Sequence, residues 1–209
     1  IHTKMKQTAQ KENSSPLYLT SGFTFDDAEN MRAAFNDEVE ANIYSRFSNP
    51  SVQEFEHKMA LLEGAEAAYA TATGMAAVFA SFMAFLKAGD HVVSARAIFG
   101  STHTMLTKFL PKWGIEHSYF DSDNRKNIEK LIRKNTKMIF AETPSNPGLE
   151  IFDLELLGRI AKKHKLILNI DNCFATPYLQ QPIQYGADIV THSATKFIDG
   201  QGRVLGGAV

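Results

Sequence analysis

Cysteine is almost missing. Cys173 is the single one among 209 residues, so no disulfide can close within the chain. That fits a reducing, cytoplasmic setting rather than a disulfide-stapled secreted fold. Charge of one sign is missing too: 22 Lys and Arg stand against 23 Asp and Glu, for a net charge of −1. Such a balance gives no basic field for nucleic acid. No apolar run approaches the roughly 20 residues of a membrane helix. The opening IHTKMKQTAQ holds no signal-peptide apolar core. Asn13-Ser14-Ser15 matches a glycosylation sequon and, without such a core, reads as chance. The seven histidines form neither an HExxH nor a Cys/His cluster, so no metal site is expected. Internal repeats and low-complexity segments are absent.

What is present is an ordinary globular composition, 44% hydrophobic and 22% charged, in a chain long enough for one sizeable core. The first fifty residues show little regular pattern. They carry Pro16 and Pro50, and scattered aromatics from Tyr18 to Phe47. They read as an extended arm with a short helix near Asp26–Phe35, its aromatics packing on something such as another subunit. We place residues 1–47 in this arm and 48–209 in a large α/β domain. Ser51 with Glu54 has the form of a capping box. Val52, Phe55, Met59 and Leu62 follow at helical spacing, and Gly64 ends the helix. An alternation then sets in. Strands are expected at 65–71, 91–95, 114–120, 137–142, 166–171 and 187–193, with one more near RVLGGAV. Helices are expected from Met75 to Leu86, over 101–112, over 124–134, and from a cap at Asp153 to about His164. Strands alternating with helices imply βαβ units and a mostly parallel sheet. In such sheets ligands bind just beyond the carboxyl ends of strands.

The residues with chemical potential fall there. TATGMAA (71–77) opens the strongest amphipathic helix. Its small residues suit backbone approach to a phosphate, or simply a tight turn. Asp171 ends an apolar strand. It could serve a protonated ring nitrogen, a helix cap or a salt bridge. HSATKF (192–197) offers the hydroxyls of Ser193 and Thr195 beside Lys196. A lysine held at a strand end and partly desolvated can form a Schiff base, whereas most lysines are surface residues. In ETPSNPG (142–148) two prolines around Asn146 make a rigid turn that aims an amide. Tyr44 and Arg46 in YSRFSNP can bind phosphate, or be a packing aromatic beside an exposed charge. Phe99, past the 91–95 strand, can stack on a planar ring or join the core. Each is weak alone. Together they supply every part that a pyridoxal phosphate site requires.

YSRFSNPS, ATGMAAV, ETPSNP, IDNCFATPYLQQP, GADIV and HSATKF resemble the Cys/Met-metabolism family of pyridoxal phosphate enzymes, from about Leu17 to the last residue. The branch most resembled is that of the O-succinylhomoserine sulfhydrylases, through IFGSTHT (98–104), DNC (171–173) and SATKFIDGQGRVLGG (193–207). Other branches more often carry a tyrosine where Phe99 stands and a threonine where Cys173 stands.

The resemblance implies an aminotransferase-like (fold type I) domain that binds pyridoxal 5'-phosphate. Lys196 would hold the cofactor and then move protons. Asp171 would pair with the pyridinium nitrogen. The backbone of Gly74 and Met75, with Ser193 and Thr195, would hold the phosphate. Asn146 would sit near the ring's 3-oxygen, and Phe99 would stack on the ring. Tyr44 and Arg46 would reach the cofactor of a neighbouring subunit in a homodimer or homotetramer, with Tyr44 also a candidate proton carrier because Phe99 has no hydroxyl. Cys173 reads as a packing residue behind the ring, and His192 as a strand-end residue without a role.

The implied reaction is γ-replacement by sulfide on O-succinyl- or O-acetylhomoserine. A methionine γ-lyase or a cystathionine γ-synthase or lyase would use the same residues. Both ends of the chain look abrupt, and RVLGGAV stops inside a strand, so a piece of a longer protein is expected. The family's substrate-carboxylate arginine lies in a smaller C-terminal domain that would follow Val209. An inactive fragment or assembly module is the non-enzymatic alternative. A nucleotide-binding oxidoreductase, prompted by Gly200, Gly202 and Gly206, fails on glycine spacing.

Overall fold

The short apolar runs become one parallel sheet. In the computed structural model, which describes residues 7–122 and 128–209, its strands are β2 (His91–Ala95), β3 (Glu116–Phe120), β4 (Thr136–Glu142), β5 (Ile167–Asp171) and β6 (Ile189–Thr191). Their spatial order is β3-β2-β4-β5-β6, all parallel. β2 is buried at every residue and β4 at all but one, as a sheet covered on both faces demands. β3, at the edge, is only partly buried, with Phe120 alone fully covered.

The chain falls into two compact units, residues 1–60 and 61–209. In the first, α1 (Ala28–Phe35) forms where a short helix was expected. Asp27 caps it by accepting the Asn30 N–H. The Ser51–Glu54 capping box does not form at the start of α2 (Pro50–Glu63). Asn49 takes the cap instead, its side chain accepting the Ser51 N–H at 2.9 Å. Pro50 then suits the first helical position, where no N–H is needed. Ser51 turns its hydroxyl outward to accept the Tyr18 N–H.

The second unit holds the sheet. α3 (Gly74–Met83) is capped by the Thr73 hydroxyl, which accepts the Ala76 N–H at 3.1 Å. Its Phe82 meets Phe140 of β4 with ring centroids 5.0 Å apart. The expected 101–112 helix is real but not uniform. It starts as α4 (Gly100–Thr104), widens to a π turn over Met105–Phe109 and tightens to a 3₁₀ turn over Leu110–Trp113. Pro111 has no N–H to continue an α-helical ladder, which explains the change of pitch. Of the expected 124–134 helix, α5 (Ile128–Leu131) is seen; positions 124–127 lie outside the described residues. α6 (Leu154–His164) starts at Asp153 as expected. A short α7 (Thr176–Leu179) follows β5.

The expected 65–71 strand shrinks to β1 (Ala70–Thr71), whose partner is β7 (Gly207–Ala208). The two pair antiparallel, and Ala208 also bridges His192 just past β6. Thus the end of RVLGGAV does become a strand, in a separate two-stranded sheet with β1. Gly207 makes this possible: a Cβ there would fall 2.3 Å from the Thr73 carbonyl oxygen.

One packing constraint on this layer is testable. Gly158 of α6 lies so close to the Tyr185 carbonyl that an added Cβ would stand 1.9 Å from its oxygen. Helix propensity alone would favour alanine there. Gly158→Ala should nevertheless destabilise the protein by about 1–3 kcal/mol, read as a lowered urea midpoint. An unchanged or raised midpoint would show that the helix slides away freely.

Candidate active site

The strand order reverses at β2. From β2 the chain crosses to β3 on one side, and from β4 it moves to β5 and β6 on the other. Right-handed crossovers then put the helices of the two halves on opposite faces, which opens a crevice at the carboxyl ends between β2 and β4. Phe99 follows β2 there, and Asn146 follows β4. Their backbones meet on Glu142, the last residue of β4. The Phe99 N–H donates to Glu142 Oε2 at 2.6 Å and the Asn146 N–H to Oε1 at 3.0 Å. Phe99 leaves 41% of its surface exposed, so it does not join the core. The Asn146 turn is tied down by Ser145 and Thr143, whose hydroxyls accept the Glu150 and Phe152 N–H groups.

Asp171 ends β5 directly beside Glu142 in the strand register. It is buried and accepts the Cys173 N–H at 3.0 Å. Burial pushes its carboxyl up to about 6, against the pull of that N–H bond and of the nearby His192. Burial, then the charge of Asp171, pushes Glu142 up to about 7. The Cys173 thiol is pushed up to about 11, chiefly by burial, which suits a packing residue and not a nucleophile.

The α3 N-terminus closes the rim. Gly74 is buried against Ser193, and a Cβ on Gly74 would stand 2.4 Å from the Ser193 Cβ. Only glycine lets the first turn of α3, with its free N–H groups, come this close to the residues after β6. Met75 is held to α4 through its sulfur, which accepts the Thr102 hydroxyl at 3.8 Å. The Thr195 hydroxyl is already engaged with Gly206, accepting its N–H at 3.1 Å and donating to its carbonyl at 3.2 Å. Lys196 lies on the turn that follows, its N–H donating to the Ser193 carbonyl at 3.2 Å. One expectation fails here. Lys196 is exposed, not partly desolvated, because a tight turn rather than the strand itself carries it.

Gly74, Met75, Phe99, Asn146, Asp171, Ser193, Thr195 and Lys196 thus all follow strand ends of the second unit. Tyr44 and Arg46 belong to the first unit. There Tyr44 bridges Gly22, and the Arg46 guanidinium lies 5.1 Å from the ring centroids of both Tyr44 and Phe47. A cavity of about 430 Å³ between the start of α6 and α7 contains none of these residues.

Two groups were not foreseen. Glu142 stood in the ETPSNPG motif without a role. His192, read as a mere strand-end residue, is buried in contact with Glu63 at the end of α2, its Nε2 2.5 Å from Glu63 Oε1. The Asn172 amide donates to the same Glu63 oxygen at 2.9 Å. A separation of 129 residues between His192 and Glu63 hides this pair from any local reading.

Residues 1–209 match the sequence model of the Cys/Met metabolism PLP-dependent enzymes. The chain belongs to this family. It is 44% identical over its whole length to an O-succinylhomoserine sulfhydrylase of Pseudomonas aeruginosa, covering 52% of that protein. It is 43% identical to an L-methionine gamma-lyase of Fusobacterium nucleatum subsp. polymorphum, again over the whole chain and 53% of the relative. Among solved structures, a putative O-acetylhomoserine (thiol)-lyase of Campylobacter jejuni superposes with a TM-score of 0.94 at 39% identity, over 99% of this chain and 51% of that one. That structure carries a pyridoxyl-lysine monophosphate group. The chain therefore spans about half the length of the relatives it matches. Its fold is the fold type I, aminotransferase-like architecture of PLP-dependent enzymes, and pyridoxal 5'-phosphate is the family's cofactor. The residues present fit that group: a helix N-terminus opened by a buried glycine suits the phosphate, and a buried carboxylate seeking a cation suits a protonated ring. Among the described residues, no helix is long and apolar enough to cross a membrane.

Proposed function

We propose that the protein catalyses γ-replacement on an O-acylated homoserine, succinyl or acetyl, with sulfide as the incoming group and homocysteine as the product. The setting is the reducing cytoplasm, and the step serves methionine biosynthesis by transsulfuration chemistry. The observation that carries replacement over elimination is the residue pattern Phe99, Cys173 and SATKFIDGQGRVLGG (193–207), which resembles the sulfhydrylase branch. Identities of 44% and 43% to a sulfhydrylase and a lyase do not separate the two.

When bound, pyridoxal phosphate supplies an electron-withdrawing ring that stabilises negative charge at Cα of an amino acid. The chain's residues hold and tune it. The free N–H groups of Gly74 and Met75 and the Ser193 hydroxyl take the phosphate. To donate to it as well, Thr195 must release the Gly206 carbonyl. Asp171 keeps a proton on the ring nitrogen. Phe99 and Asn146 would face the ring and its 3-oxygen. Lys196 would hold the cofactor through its amine, and that amine would take the Cα proton and return a proton to the product.

Tyr44 and Arg46 would reach the phosphate of a second copy's cofactor in a homodimer or homotetramer, with Tyr44 a further proton carrier. The exposed Leu17, Leu19, Phe35 and Phe47 of the first unit support burial against such a copy. In this reading residues 1–47 are the arm and 48–209 the cofactor domain.

Product analysis with O-succinylhomoserine tests the reaction. Homocysteine should form only when sulfide is supplied. Equal amounts of 2-oxobutanoate and ammonia with and without sulfide would instead establish a γ-lyase.

A further inference from the structure

Two loops that come from opposite sides of the crevice share one side chain. Glu142 is 4% exposed and offers one carboxyl oxygen to each: Oε2 to the Phe99 N–H and Oε1 to the Asn146 N–H. Phe99 lies 43 residues away in sequence, so this is a tertiary tie. An ionised carboxylate is acceptor-only on both oxygens and so satisfies two N–H donors at once. A protonated carboxyl would turn a hydroxyl toward one of them. Burying an acid is costly unless its bonds repay the lost water, and a plain turn at this place could be closed by backbone alone. Nothing in the local motif requires an acid.

We propose that Glu142 is a positioning residue for the cofactor ring: its carboxylate ties the loop bearing Phe99 to the loop bearing Asn146, so that the ring meets two side chains whose backbones are already fixed. This rests on the reading that Phe99 and Asn146 face the ring, and it adds a residue that does not touch the cofactor.

The tie responds to pH. The titratable groups that bear on this pocket are Asp171 and Cys173 after β5, and His192 and Lys196 after β6. Burial and Asp171 bring Glu142 to about 7 while its two N–H donors oppose them. As pH rises through neutrality Glu142 ionises and the tie tightens. As pH falls it protonates and one N–H loses its acceptor.

The experiment measures hydrogen-exchange protection of the Phe99 and Asn146 amides in cofactor-free protein between pH 5.5 and 8.5, corrected for intrinsic exchange. It is repeated on Glu142→Gln, and pyridoxal 5'-phosphate binding to both proteins is followed by fluorescence. In the unaltered protein both amides should gain protection together with a shared midpoint near 7. In Glu142→Gln, which keeps one acceptor and replaces the other with a donor, at least one amide should exchange about tenfold faster and the pH response should vanish. The dissociation constant of pyridoxal phosphate should rise about tenfold.

Amides that titrate separately, or not at all, in the unaltered protein overturn the tie, even if the variant fails to fold. Jointly titrating amides with equal cofactor affinity in both proteins overturn the positioning role. If the unaltered protein binds no pyridoxal phosphate while its amides titrate together, the tie stands. The cofactor reading then fails, and the ring-positioning role with it.

Discussion

Replacing Lys196 with alanine is expected to lower kcat/KM by more than about 10³-fold. The residue is asked to do two things, and alanine removes both. In the proposed mechanism it would anchor the cofactor through a covalent bond and carry the proton at Cα. The first role is separable by a measurement that needs no turnover. Borohydride reduction followed by peptide mapping should place the pyridoxyl label on Lys196 in the unaltered protein and nowhere in Lys196→Ala. The variant should still bind pyridoxal phosphate, because the free N–H groups of α3 and the buried Asp171 are untouched. Lys196→Arg adds a control. It keeps a positive charge on the same turn but its guanidinium neither forms the bond nor gives up a proton near neutral pH. It should be as inactive as the alanine variant. Full turnover in either variant would remove Lys196 from the mechanism.

The position of Lys196 was legible because one simple rule covers it: in an open parallel sheet, chemistry gathers after strand ends. The strand that announced it is β6 (Ile189–Thr191), apolar at Ile189 and Val190 and buried at every residue. Elements whose form depends on distant partners were not legible. β1 pairs with the distant β7, and nothing in AEAAYAT records that partner. The cap of α2 went to Asn49 rather than Ser51, since Ser51 is drawn to the backbone of Tyr18, 33 residues earlier. Within the site the same division holds. Asp171, Phe99 and Asn146 lie at or just past strand ends, where the sequence placed them. Glu142 and His192 work through partners 43 and 129 residues away, and a sequence window shows neither contact. The exposure of Lys196 was missed for a related reason: apolar neighbours in sequence do not ensure apolar neighbours in space.

Asp171→Asn should make the cofactor-free protein more stable at neutral pH while removing most of its activity. The folded state raises Asp171 from an ordinary 3.8 to about 6. A carboxyl raised on folding favours the native state below its unfolded value, and that advantage is lost as pH climbs through the folded value. For Asp171 the loss runs from about pH 4 to 6 and is on the order of 3 kcal/mol. Asparagine keeps Oδ1 as acceptor for the Cys173 N–H, but carries no charge to desolvate. Urea midpoints of the two cofactor-free proteins should therefore agree near pH 4 and diverge above pH 6, with the variant the more stable. Glu142, raised from 4.5 to about 7, leaves a residual decline in both proteins, smaller in the variant because the charge of Asp171 is one cause of that shift. Turnover moves the other way, since a neutral amide cannot hold the ring nitrogen protonated. A loss of more than about 10²-fold in kcat is expected. Identical pH dependence of stability in the two proteins would mean that Asp171 is solvated in the native state. The instability of an unpaired buried carboxylate is then also the driving force for taking up a cationic ring: a site stabilised against it by asparagine binds the cofactor less tightly for the same electrostatic reason.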